Sequence, residues 1–221
     1  MNFVISYSGG KDSALALYRM MIQGHKPVAM VTTINKAQGR SWFHGIQSEF
    51  LTKVSESLDI PMISCACKPE EHEESFEKGL KEAKALGAEA CVFGDIDIEG
   101  HSQWNHARCS AAELKCMLPL WHEEREALVR EVIDHGFKAV IKIVQLKALD
   151  ESFLGKTIDV ELMKRIKSTG ADPCGENGEY HTFVYDGPIF RFPIRFLAKE
   201  TVDFGTHKAV DMVLPPPEPM E

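Results

Sequence analysis

Six residues, Ser8-Gly9-Gly10-Lys11-Asp12-Ser13, sit between the apolar run Phe3-Val4-Ile5 and a stretch whose apolar residues, Ala14, Leu17, Tyr18, Met21 and Ile22, fall at helical spacing. A strand that turns through two glycines into a helix leaves amide hydrogens unpaired at the positive end of the helix dipole, so an anion is favoured there. Gly9 and Gly10 let the backbone approach phosphate oxygens closely, and the hydroxyls of Ser8 and Ser13 can donate further bonds. Lys11 can neutralise phosphate charge, while Asp12 can hold a magnesium ion or orient the loop. The string is not a Walker A loop, which requires Gly-x-x-x-x-Gly-Lys-Ser/Thr. A capped Gly-rich turn is the plainer reading of any two of these residues. The whole string, directly after a strand, makes a phosphate site the expected one.

The first half alternates short apolar runs with amphipathic stretches, the pattern of β-α units around a parallel sheet. Val28 to Ile34, Met62 to Cys65 and Ala90 to Phe93 read as strands, the last ending at Gly94-Asp95. Helices are expected from Ile46 to Leu58, ending before Pro61, and around Phe76, Leu80 and Ala83, within the charge run Glu70 to Glu82. Trp104, Ala107, Ala111 and Leu114 share a further helical face, and Met117 to Trp121 reads as a brief strand. His122 to His135 and Asp159 to Ser168 read as helices, with a strand over Ala139 to Leu146 between them. Phe190, Phe192, Ile194 and Phe196 then alternate with Arg191, Pro193 and Arg195, which predicts an antiparallel edge strand. The pattern shifts near residue 122. It divides the chain into a phosphate-loop domain at 1–121, a C-terminal region at 122–214 and a proline-rich tail at 215–221 expected to be disordered.

With 221 residues, 44% hydrophobic and 26% charged, the chain is long enough to bury one sizeable core and leaves room for a small second lobe. Its net charge of -8 argues against a broad basic face, so nucleic acid is not the expected partner. No stretch approaches a membrane span and the N-terminus MNFVISYSGG has no signal-peptide pattern, which predicts a cytoplasmic protein with no membrane partner. The six cysteines read as reduced thiols.

Ligands of open α/β sheets gather at the carboxyl ends of the strands. Thr32 and Thr33 end the second strand there, and Gly94 and Asp95 the fourth, so all four are candidates for an adenosine pocket; threonine also simply suits strands. His44, just before a helix, is a candidate contact to nucleotide or substrate, against the plainer reading of a structural histidine. Glu176 and Glu179 lie in a Gly-bounded segment ahead of a strand. Carboxylates so placed can bind ammonium, accept a proton from attacking ammonia or hold a metal, or else form an exposed polar turn.

The Ser8–Ser13 string resembles the signature of PP-loop ATP pyrophosphatases, which implies cleavage of ATP between its α and β phosphates. Two later segments, Asp150-Glu151-Ser152-Phe153-Leu154-Gly155 and Gly175-Glu176-Asn177-Gly178-Glu179-Tyr180-His181-Thr182-Phe183, extend the resemblance to the diphthine–ammonia ligase family from Phe3 to about Phe196. The resemblance implies a parallel-sheet, adenine-nucleotide α-hydrolase-like α/β fold with a smaller C-terminal α+β acceptor region. It also implies ATP and Mg2+ as cofactors, with Asp12 toward the metal, and Lys11, Asp12, Glu176 and Glu179 as the catalytic set. The family's reaction adenylates the carboxylate of diphthine on elongation factor 2 and amidates it with ammonia, releasing AMP and pyrophosphate. Diphthamide-making members typically read Gly-Glu-Gly-Gly-Glu, an aromatic residue and Glu, whereas this chain has Asn177 and His181 at two of those positions. It also has Gly94-Asp95-Ile96-Asp97 and His101-Ser102-Gln103-Trp104 where they carry a Tyr-Gln-Arg stretch, and so resembles the prokaryotic branch, whose bacterial hosts lack diphthamide.

Two rival classes stand beside this one. A PP-loop enzyme that modifies or thiolates a tRNA base needs a reactive cysteine, and only Cys65-Ala66-Cys67 and Cys174 invite that reading. A protein that binds ATP or AMP beside a small-molecule acceptor, without turnover, would not need both Lys11 and Asp12. His101 and His106 are five apart and do not share a helix face, so zinc is not expected. A homodimer is left open.

Overall fold

A computed structural model describes residues 1–216. In chain order the first half runs β1 (Asn2–Ser6), α1 (Lys11–Ile22), β2 (Lys26–Asn35), β3 (Arg40–Ser41), α2 (Ser48–Leu58), β4 (Met62–Cys67), α3 (His72–Ala85), β5 (Ala90–Val92), α4 (Glu99–Ala111) and β6 (Lys115–Met117). The second half adds α5 (Arg125–Asp134), β7 (Lys138–Gln145), α6 (Val160–Ser168), β8 (Tyr180–Asp186), β9 (Leu197–Asp203) and β10 (His207–Val213). This is the expected α/β architecture with a smaller C-terminal α+β region.

Five strands form a parallel sheet in the order β4-β2-β1-β5-β6, with β3 folded back antiparallel on the end of β2. A strand covered on both faces must be apolar at every position, and Phe3, Val4 and Ile5 are fully buried. Alternation along β1 sends Phe3 and Ile5 into the core shared with α1 and α2, and Val4 into the core under α3 and α4. From β1 the chain winds outward through β2 to β4, then returns to the other side of β1 for β5 and β6. The loops leaving β1 and β5 therefore part to opposite faces, which opens a crevice at their carboxyl ends. The backbones close on one another there. A Cβ on Gly94 would lie 2.7 Å from the Asp12 carbonyl carbon and the Ser13 nitrogen.

The second sheet is antiparallel, ordered β8-β7-β10-β9, and its strand β8 docks on the phosphate loop. The Val184 amide donates to the Gly9 carbonyl at 2.8 Å, and Phe183 meets Phe50 of α2 edge to face at 5.5 Å. Arg19 of α1 reaches both Glu123 and Glu131 of the second half. One hydrophobic core consequently runs through both halves. Residues 121 and 122 lie in the turn between β6 and α5.

Several expectations need correction. Residues 190–196 are not a strand. Pro193 has no amide to give, and the segment instead straps α2, with the Arg191 and Phe192 amides bonded to the Ser57 carbonyl and hydroxyl at 2.9 and 3.2 Å. The brief strand lies at Lys115–Met117, earlier than Met117 to Trp121. Helix α5 starts three residues later than expected, where the Glu124 carboxylate accepts from the Glu126 and Ala127 amides. On α4 the buried residues are Ser102, Asn105 and Cys109, while Ala107 and Ala111 are exposed. A polar side chain aimed into the crevice had displaced the apolar pattern. In the tail, Leu214, Pro215 and Pro216 are outside any strand or helix, and the remainder of 215–221 falls outside the described residues. Among the described residues no helix is long and apolar enough to cross a membrane.

The Gly94 contact is with backbone, which cannot step aside. Gly94→Ala should therefore destabilise the fold by ~1–3 kcal/mol, as overpacking does. Gly100→Ala, where an added Cβ meets nothing within 4 Å, should be neutral or stabilising by up to about 1 kcal/mol. Thermal denaturation of both variants checks this, and equal melting temperatures would contradict the close approach.

Candidate functional site

A cavity of about 530 Å3 fills the crevice, within the roughly 300–1,000 Å3 typical of small-molecule sites. Ser8, Lys11, Asp12 and Ser13 line it from the phosphate loop, and Thr33, Gly94 and Asp95 from the strand ends. Gly9 adopts a left-handed φ of 87°, and its α-hydrogen side faces Ile46, whose Cδ1 would be 2.4 Å from a Cβ. The amides of Asp12 and Ser13 donate to no carbonyl or side chain among the described residues, which leaves them for a ligand.

Lys11 is only 4% exposed, yet charged. Its Nζ donates to Asp12 Oδ2 at 2.8 Å and to the Cys174 carbonyl at 2.5 Å, and lies 5.4 Å from the centre of the Tyr180 ring. Burial by itself would depress the lysine pKa; the charge and hydrogen bond of Asp12 outweigh it and hold the ammonium protonated. Thr182 of β8 holds two neighbours at once. Its Oγ1 accepts from the Lys11 amide at 3.0 Å, and its carbonyl accepts from His44 Nδ1 at 2.8 Å. His44 thereby packs its ring on Gly10 and turns Nε2 out as an acceptor. Burial lowers the His44 pKa to about 4 and that of His181, edge to face at 4.9 Å, to about 3, so both are neutral imidazoles.

The segment that carries Glu176 folds directly over the phosphate loop. Glu176 lines the cavity, and burial, reinforced by the Asp12 charge, raises its pKa to about 7. Glu179 does not line it. Its carboxylate accepts from the amides of Asp172 and Asn177, at 3.3 and 3.1 Å, and from the Asn177 side chain at 3.1 Å, so it staples the turn. Asp172 does the same in return, accepting from the Cys174 and Glu176 amides at 2.9 and 3.0 Å. Arg125 ties this turn to the first half by bridging Asp172 and Asp97, each at 2.6 Å. Thr32, expected in an adenosine pocket, is also a correction: its hydroxyl is turned to the Tyr7 carbonyl at 2.7 Å, and only Thr33 reaches the cavity.

Asp95 accepts from Asn105 Nδ2 at 2.8 Å and pairs with His101 at 3.1 Å, an interaction that raises the histidine's pKa. Sequence reasoning missed Thr182, whose partner Lys11 lies 171 residues away, and also Arg125 and Asn105, whose partners Asp172 and Asp95 lie 47 and 10 residues away in other elements, because no local spacing rule pairs residues across elements. It also missed the aromatic wall of His72, Phe76 and Trp104, whose periodicity reads as ordinary helix packing. Among the described residues no group of three or more His, Cys, Asp or Glu is assembled for a metal ion.

A glycine-rich anion loop at the switch point of a parallel sheet, closed by a buried lysine and a near-neutral carboxyl, defines an α/β phosphate-handling enzyme site. The diphthamide synthase N-terminal domain matches residues 1–116 and the diphthamide synthase C-terminal domain residues 124–212; the chain belongs to that family. Human diphthine–ammonia ligase is 27% identical, over 88% of this chain and 82% of its own length. The mouse diphthine–ammonia ligase is 28% identical with the same coverage. Among solved structures, a predicted subunit of tRNA methyltransferase from Methanocaldococcus jannaschii aligns with a TM-score of 0.44 at 15% identity, covering 85% of this chain and 100% of that one.

The raised pKa of Glu176 has a stability consequence. Its folded form keeps a proton that the unfolded chain, near 4.5, has released, so the contribution is complete below pH 4.5 and is lost as pH rises through about 7. The stability difference between wild type and Glu176→Gln should change across that window and be flat above it. Denaturant titrations at a series of pH values check this; a constant difference would contradict the burial of Glu176 as an acid.

Proposed function

We propose that the protein is an ATP-dependent carboxylate–ammonia ligase of the diphthine–ammonia ligase type. The observation that carries this reading is the union of two segments in one cavity. The phosphate loop and the Glu176 turn share Lys11, which donates to Asp12 of its own helix and to the Cys174 carbonyl of the turn. In the first step an acceptor carboxylate oxygen attacks the α-phosphorus of ATP, the α–β anhydride bond breaks and pyrophosphate leaves. Lys11 and the free amides of Asp12 and Ser13 stabilise the charge that develops on it. In the second step ammonia attacks the acyl carbon of the adenylate, the bond to AMP breaks, and the surplus proton passes to Glu176. A carboxyl with a pKa of about 7 exchanges protons readily at neutral pH.

Mg2+ belongs beside Asp12, where with phosphate oxygens and water it would offset the repulsion between the triphosphate and the carboxylates of Asp12, Asp95 and Glu176. Residues 1–121 would hold ATP and residues 122–214 present the acceptor, in a cytoplasmic protein. The acceptor is a carboxylate: diphthine of elongation factor 2 where the host makes diphthamide, and another carboxylate in a prokaryotic host that does not. Thiolation is disfavoured by Cys174, whose thiol burial holds well above its ordinary pKa and so protonated.

With magnesium, ammonium and a carboxylate acceptor, chromatography should find AMP and pyrophosphate as products of ATP. ADP as the sole nucleotide product would contradict the reading. Lys11→Ala should slow adenylate formation by about 10²–10³-fold, the worth of one oxyanion contact. A wild-type rate in that variant would remove Lys11 from the mechanism.

A further inference from the structure

Amide formation releases a proton. When ammonia attacks the acyl adenylate, its nitrogen bonds the acyl carbon, and the electron pair of the acyl–oxygen bond leaves with AMP. The nitrogen then sheds one proton to Glu176, which must give it up before it can serve again. The histidines of the cavity differ in their fitness to take it. Four line the cavity, and burial lowers the pKa of His44, His72 and His181, so these three stay neutral near neutral pH. His101 is the exception. Its side chain is 56% exposed, so it meets both the cavity and the solvent.

The local structure orients the His101 ring. His101 and Asn105 stand four residues apart on one face of α4, and both hold the same carboxylate. Asp95 Oδ1 accepts from His101 Nδ1 at 3.1 Å, and Oδ2 from Asn105 Nδ2 at 2.8 Å. Asn105 is buried, which fixes the carboxylate from within the protein. With its proton on Nδ1, the neutral ring offers Nε2 as a base, and Nε2 has no partner among the described residues. An imidazolium formed there is stabilised by the carboxylate behind it, as in an Asp–His pair. The charged groups that face His101 are Asp95, from the end of β5, and Glu176, from the turn before β8. The hydrogen bond to Asp95 raises the histidine's pKa, burial opposes it, and the charges of Asp95 and Glu176 raise it further. We propose that His101 is the proton exit of the amidation step. It takes from Glu176 the proton shed by the attacking ammonia and releases it to solvent, with Asp95 as its positioning residue. The inference rests on the ligase reading of the site.

Two measurements test this, and the first needs no acceptor. Heteronuclear NMR of the histidine rings across pH should show His101 as the Nδ1–H tautomer, titrating above its ordinary 6.5. Asp95→Asn and Glu176→Gln should each move that titration downward. An Nε2–H tautomer, a titration at or below 6.5, or indifference to both substitutions would overturn the proton exit. The second measurement follows catalysis with ATP, magnesium, ammonium and elongation factor 2 carrying diphthine as the probe acceptor. His101→Gln should slow amide formation about 10²-fold more than it slows pyrophosphate–ATP exchange, which reports adenylation alone. Added imidazole should restore the amide rate in proportion to its concentration. Equal losses in the two reactions, or a loss that imidazole does not relieve, would make His101 structural and overturn the proposal. Wild type that catalyses no exchange with this acceptor would overturn the ligase reading instead, while the titration still decides the Asp95–His101 pair.

Discussion

Burying the Lys11 ammonium requires oxygens from both ends of the chain. Asp12 supplies a counter-charge from the same helix turn, and Cys174, 163 residues further on, supplies a carbonyl. An unpaired ammonium at that depth would be expelled or neutralised, so the phosphate loop as described depends on the second half being folded against it. The backbone bond from Val184 to Gly9 and the two bonds to Thr182 fix the same contact from β8. The loop is therefore preorganised from behind, which is what transition-state charge stabilisation needs.

The turn over the loop is built by reciprocal staples. Asp172 and Glu179 each accept from amides inside the turn, and Arg125 anchors Asp172 to Asp97 beyond β5. This fixes the backbone around Glu176 while leaving its own side chain in the cavity, close to Asp12 and Lys11. Two carboxylates three residues apart thus take different parts. Glu179 is structural, and Glu176 is the one whose proton is held near neutrality.

Much of the first half was legible because its physics is local. The β-α alternation, the loop string and the positions Thr33 and Gly94-Asp95 toward the carboxyl ends of their strands all follow from short-range patterning, and Ser8, Lys11, Asp12, Ser13, Thr33, Gly94 and Asp95 meet in one crevice. The second half was less legible. Strand β9, Leu197–Asp203, is exposed at every residue and shows no alternation, while the 190–196 segment alternates without being a strand. Helix α4 hid its inner face because Asn105 occupies it. Glu179 and Thr32 were candidates whose side chains turn out to bond the protein itself. Such commitments depend on distant partners, which no spacing rule encodes.

The central claim is that the second half organises the ATP site through β8, and Thr182 is where that claim is most exposed to test. Thr182→Val keeps the shape but leaves the buried Lys11 amide without its acceptor, a loss of ~1–3 kcal/mol. Thr182→Ser restores the oxygen. Calorimetric titration with ATP should show affinity falling about tenfold or more in the valine variant and recovering in the serine variant, with both proteins folded. ATP affinity in folded Thr182→Val equal to that of wild type would contradict the account.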